Sequence, residues 1–169
     1  MQWKTKNSPR PNKTLMSRTQ VKTTLVCFFD HKGIVHYEFI LQGQTVNQQC
    51  YLEVLTSLRE SIQKKRPGLW SDEWILYLDN ALAHDASRIR EFLAKNSITK
   101  MDHPPYSPDL APCHFWLFPK LNNALKGQRF ADLSDIQRNV KTLLRGIPKN
   151  DFQDCYQQWR HRLTKCIAS

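Results

Sequence analysis

Asp79 directly follows the apolar run at residues 74–78 (WILYL), within the segment LDNALAHDA. A carboxylate at the C-terminal end of a covered strand stands where open α/β sheets place their ligands. The competing reading is a turn, because Asp and Asn often end strands and cap the helix that follows. His84, five residues on, reads equally well as the polar start of that helix. A second distinctive stretch runs over residues 103–121, HPPYSPDLAPCHFWLFPKL, and carries His114.

Charge is the next chemical signal. Lys and Arg total 25 against 15 Asp and Glu, a formal net charge of +10. The surplus sits at the two ends. Residues 1–30 hold six basic and one acidic residue, and 120–169 hold ten basic and four acidic, whereas 31–119 hold nine and ten. Clustered Lys and Arg bind phosphates with release of counterions, so this distribution points to a polyanion. The alternative is a basic protein whose faces are simply well solvated.

Composition bounds the classes open to such a chain. Its 169 residues suit one domain, and 40% hydrophobic with 24% charged residues is not a disordered profile. No apolar run approaches the ~18 residues of a membrane-spanning helix. Residues 1–18 are basic and polar without an apolar centre, so no secretory signal is expected. Five cysteines at 27, 50, 113, 155 and 166 show no CxxC spacing. That argues against a zinc ribbon or a disulfide scaffold and for a reducing, intracellular setting.

The elements that must position these residues follow from periodicity. Residues 2–20 have no apolar period and read as an exposed basic arm or long loop. Residues 21–29 (VKTTLVCFF) and 34–41 (IVHYEFIL) form a β-hairpin across Asp30-His31-Lys32-Gly33. A helix over 46–65, capped by Thr45 and ended by Pro67-Gly68, turns Tyr51, Val54, Leu55, Leu58 and Ile62 inward. Residues 74–78 form a strand covered on both faces, 86–95 a helix with Ile89, Phe92 and Leu93 inward, and 98–101 a short strand. With four prolines, 103–112 is irregular. Helices follow over 115–126, with Pro119 starting a turn or kinking it, then 134–145 from a cap at Asp132 or Ser134, and 151–165. The order is that of one α/β domain. Trp116 and Trp159 fall at helical spacing and read as core rather than as base-stacking platforms.

Taken together, these motifs resemble the catalytic domain of mariner transposases. The resemblance rests on Asp79-Asn80 with Ala83-His84, PPYSPDLAP at 104–112, and Phe115-Trp116-Leu117-Phe118. It extends to FFDHKGIVHYEF at 28–39, GQTVN at 43–47 and KGQRF at 126–130, and so covers almost the whole chain. It implies an α/β, ribonuclease H-like fold with three aspartates holding two Mg²⁺ or Mn²⁺ ions for attack on a phosphodiester. Hard divalent ions take oxygen ligands, hence the carboxylates.

Residue by residue, Asp79 matches the family's second acid and is the metal ligand the resemblance assigns. Thirty-four residues separate the second acid from the third, and that count lands on His114. Imidazole is a poor ligand for Mg²⁺ and removes a negative charge, so metal binding is expected to be weak or lost. The first acid lies on a strand expected to be missing here; Asp30 is in a turn and Asp109 in the proline loop, so neither replaces it.

The implied architecture is therefore a mixed ribonuclease H-like sheet lacking its first, central strand, with C-terminal helices. Residues 1–20 match the family's clamp loop, and 21–169 a partial catalytic domain. In the sheet order 3-2-1-4-5, the strands at 21–29 and 74–78 then either close on one another or leave the sheet split. Each buried backbone group left open costs about 1–3 kcal/mol. The family's helix-turn-helix modules are expected to be missing, leaving Arg10, Lys13, Arg18 and Lys22 for weak, non-specific DNA binding; the alternative is a disordered arm.

The expected function is a transposase-derived, catalytically inactive nuclear protein whose partners are DNA and, through the clamp loop, a second copy in a homodimer, with no membrane and no small-molecule substrate. Two other readings stay open: a residual Mn²⁺-dependent nuclease using Asp79 and His114, and a translated remnant without a role.

Overall fold

A run of β-branched and aromatic residues on either side of Asp30-His31-Lys32-Gly33 makes the hairpin. In the computed structural model, which describes residues 23–40, 47–71, 74–78, 86–128 and 130–168, β1 is Thr24–Asp30 and β2 is Gly33–Ile40. They pair antiparallel around the two turn residues His31 and Lys32. The Asp30 carboxylate accepts from the Lys32 amide at 2.8 Å and the Gly33 amide at 3.0 Å. Gly33 takes φ +133, a conformation open to glycine and costly for other residues.

The hairpin is not regular. Phe28 faces His36 whereas Phe29 faces Ile34, so Val35 is the extra residue of a β-bulge. Such a bulge re-aims side chains. Leu25, Cys27, Phe29, Ile34, Tyr37 and Phe39 join one core, while Phe28 and Val35 join another. The hairpin is the middle layer between two sets of helices.

On one side lies α1, Gln48–Lys65, which buries Tyr51, Val54, Leu55, Leu58 and Ile62. Its cap is Asn47, whose side chain accepts from the Cys50 amide at 2.9 Å; the expected cap, Thr45, lies outside the described residues. Pro67 does not simply stop the chain. Arg66 closes α1, and Pro67, which has no amide proton to lose, opens a short helix α2, Pro67–Ser71.

Next, β3 (Ile75–Leu78), α3 (Ser87–Lys95) and β4 (Thr99–Asp102) make a parallel pair with a helix between, in register Ile75↔Thr99 to Leu78↔Asp102. The expectation that β3 is covered on both faces is corrected here. Leu76 and Leu78 are buried, but on the other face Ile75 is 61% exposed while Tyr77 is half-buried against Trp159, so that face is covered only in part.

The described strands form two separate two-stranded sheets, β1-β2 and β3-β4. Of the two expected outcomes, the described residues match the split sheet. Side chains rather than backbone bonds span the break: Val35, α1, Leu76, Leu78, Ile89, Leu93 and Ile98 share one apolar cluster.

On the hairpin's other side, a 3-10 turn (Pro108–Leu110) and a π turn (Cys113–Leu117) lead into α4 (Phe118–Leu125), α5 (Leu133–Gly146) and α6 (Lys149–Ala168). Pro119 has no amide to continue an α-helix, and the Phe118 amide reaches back to the Cys113 carbonyl in the wider π spacing. Asp132 is the α5 cap, accepting from the Asp135 amide at 2.7 Å. Cys27, Leu117, Leu121, Val140 and Leu144 form the second core. Trp116 packs on Phe29 and Phe152, and Trp159 on Tyr77, so both tryptophans pack as expected. None of the five cysteines is in a disulfide. No described helix is long and apolar enough to cross a membrane.

Candidate active-site edge

Because β3 and β4 run parallel, their C-terminal ends share one edge, with Leu78 opposite Asp102. Asp79 is the next residue in the chain but lies outside the described residues, as do His84 and the arm residues Arg10, Lys13, Arg18 and Lys22. Of the anticipated site residues, His114 alone is described.

What the edge does contain is a polar cluster that periodicity did not reveal. The Tyr77 phenol oxygen lies 2.6 Å from His103 Nδ1 and 3.3 Å from the Leu110 carbonyl. A single hydroxyl proton serves one of these, so the tautomer of His103 decides which. His103 is buried. Burial raises the Tyr77 phenol above its ordinary value, with the neighbouring Trp159 indole opposing. The available signal was the hydroxyl of Tyr77 in an otherwise apolar run, followed by the His that opens the proline loop.

From α6, the Arg162 guanidinium donates to the Asp109 carbonyl at 3.0 Å and lies 4.3 Å over the Phe115 ring. Strand β3 and helix α6 thus hold residues 103–115 from two sides. Tyr77→Phe removes one of these anchors and should cost about 1–2 kcal/mol in urea unfolding. A variant as stable as the parent would show that the loop is held by α6 alone.

His114 sits on the π turn, exposed, with its amide bonded to the Ala111 carbonyl at 2.8 Å. Its ring meets Phe118 edge-on, with centroids 5.8 Å apart. Among the described residues, no three His, Cys, Asp or Glu side chains gather as a metal site. The described donors therefore do not fit a two-metal centre.

Two further groups of polar residues are structural. Asp30 binds Arg66 through both oxygens, at 2.7 and 3.1 Å, besides its two turn amides. His36 links Ser61 Oγ at 3.0 Å to Glu38 Oε1 at 2.8 Å. That trio has the spacing of an activated nucleophile. Ser61, however, lies inside α1, where backbone amides are committed to the helix and supply no oxyanion donors. It acts as a polar clamp between β2 and α1.

A family model described as transposase, partial DDE domain, matches residues 1–72. The mariner Mos1 transposase of Drosophila mauritiana is 30% identical over 165 residues, covering 96% of this chain and 46% of that protein. The human histone-lysine N-methyltransferase SETMAR is 27% identical over 147 residues, covering 86% of this chain and 22% of that one. The chain thus spans less than half the length of these curated relatives. Among solved structures, the Mos1 catalytic domain is 30% identical, with a TM-score of 0.82 over 86% of this chain and 72% of that one. Other Mos1 structures hold the catalytic domain with Raltegravir and Mg or Mn, or a paired-end complex with the left transposon end. The split α/β arrangement with its C-terminal helices is accordingly a ribonuclease H-like one, and the chain belongs to the mariner transposase family, matching the catalytic domain.

Proposed function

We propose that the chain is a transposase-derived protein that contacts DNA without sequence preference in the nucleus and does not carry out strand transfer. The observation that carries this reading is His114. At the place where the family resemblance calls for a third carboxylate, the side chain is an exposed imidazole turned edge-on to Phe118. An imidazole supplies neither the hard oxygen nor the negative charge that paired divalent ions need. The net charge of +10 and the DNA complexes of Mos1 support retained contact with DNA, with Arg10, Lys13, Arg18 and Lys22 as the proposed arm. Any metal binding left to Asp79 is weak in this reading.

The test is nicking of supercoiled plasmid in Mg²⁺ and in Mn²⁺, beside anisotropy of labelled duplexes of unrelated sequence. The expected result is no nicking above that of Asp79→Ala, and duplex binding that is indifferent to sequence and weakens with salt. Nicking in Mn²⁺ that disappears in both Asp79→Ala and His114→Ala would replace this reading with a residual nuclease.

A further inference from the structure

Helix α5 carries Arg138, Lys141 and Arg145 at i, i+3 and i+7. All three are exposed, and they lie off the face that buries Val140 and Leu144. Arg138 bonds to Asp135 at 2.5 Å yet stays 76% exposed. Lys141 projects its ammonium 5.9 Å from the Phe39 ring of β2. Among the described residues, neither Lys141 nor Arg145 meets a carboxylate in an ion pair. The acids of α5 are confined to its start, at the cap Asp132 and at Asp135. Asp135 and the Phe39 ring engage Arg138 and Lys141, yet all three cations stay exposed along one side of the helix.

We propose that the Arg138–Lys141–Arg145 row is a contact surface for the phosphate backbone of duplex DNA, on the body of the domain and separate from the N-terminal arm. It rests on the DNA-contact reading above and adds the surface that makes the contact. At about 1.5 Å of rise per residue the row spans about 10 Å. One DNA strand presents a phosphate about every 3.4 Å of its axis, so the row faces about three of them. A lipid surface suits it less, because the apolar face of α5 is spent on the core and leaves nothing to insert. An acidic peptide would want a free apolar or aromatic anchor beside the charges, and the ring next to the row, Phe39, is packed on the second core.

The experiment is anisotropy of a labelled duplex with the full chain between 50 and 200 mM salt. It compares the native protein with R138A/K141A/R145A and with the arm variant R10A/K13A/R18A/K22A. The row variant should lower the slope of log affinity against log salt by about 2–3 and weaken binding at least tenfold at low salt. R138K/K141R/R145K, which keeps the charges, should retain the native slope. R138Q/K141Q/R145Q serves should the alanine variant melt early.

An unchanged slope in the row variant, with binding lost in the arm variant, overturns this proposal and leaves the DNA reading standing. No salt-dependent binding by the native protein overturns both. Native binding to phosphatidylserine vesicles but not to duplex, lost in the row variant, would reassign the row to a lipid surface.

Discussion

Asp30→Ala should destabilise the chain by about 3 kcal/mol at neutral pH, one of the largest effects expected of any single polar substitution here. The carboxylate serves four donors at once. Two are the amides of the hairpin turn, and two are the nitrogens of Arg66 that tie the turn to the end of α1. Both side chains are largely withdrawn from water, at 16% exposure for Arg66 and 20% for Asp30. Removing the acid therefore strands a half-buried guanidinium as well as two amides. Burial raises the Asp30 carboxyl, but the Arg66 guanidinium and the Lys32 amide outweigh it and hold the group below the usual carboxylate range.

A depressed folded value sets the sign of the pH dependence. The stabilisation is fully present above the unfolded carboxyl value of about 3.9, and it is lost as pH falls through the lower folded value. Urea unfolding of the parent, Asp30→Ala and Asp30→Asn at pH 7 and between pH 5 and 2 checks this. Asn keeps an oxygen for the turn amides, so it should lose less than Ala and should also lose this acid-side dependence. Equal stability of parent and Ala variant at pH 7 would show that the ion pair contributes nothing net.

Leu117→Ala is the second large effect, with an expected loss of about 3 kcal/mol and a fall in Tm of about 6–12 °C. Leu117 is 0% exposed and plants the π turn in the core made by Cys27, Leu121, Val140 and Leu144. The truncation leaves a cavity between the hairpin and the C-terminal helices. Because the two cores meet chiefly through the hairpin, the damage should begin on one side. Amide exchange should accelerate in α4 and α5 before it does in α1 and α3. Equal acceleration across all four helices would mean that the two cores melt as one unit.

The buried thiols complete the picture of these cores. Burial pushes Cys155 up to about 12 and raises Cys27 further, so both stay protonated and behave as small apolar side chains.

Local patterning was a good guide wherever one rule acted alone. The hairpin, the inward face of α1, and the helices over α3, α5 and α6 were all legible from spacing. The resemblance in the Asp79 and proline-loop segments led to the family. The errors arose where neighbours compete. Thr45 and Asn47 both suit a cap, and only the path of the chain selects Asn47. Ile75 looked buried because apolar runs do not say how many layers cover them.

By itself, then, the amino-acid sequence determined most of the element types, the charge bias and the His at position 114, since these depend on residue chemistry and spacing. Tertiary structure decided the rest. The bulge at Val35, the split between two sheets, the Tyr77–His103 contact and the Asp30–Arg66 pair join residues far apart in the chain. Which distant partners meet is settled by packing two cores against one hairpin, and no local period encodes it.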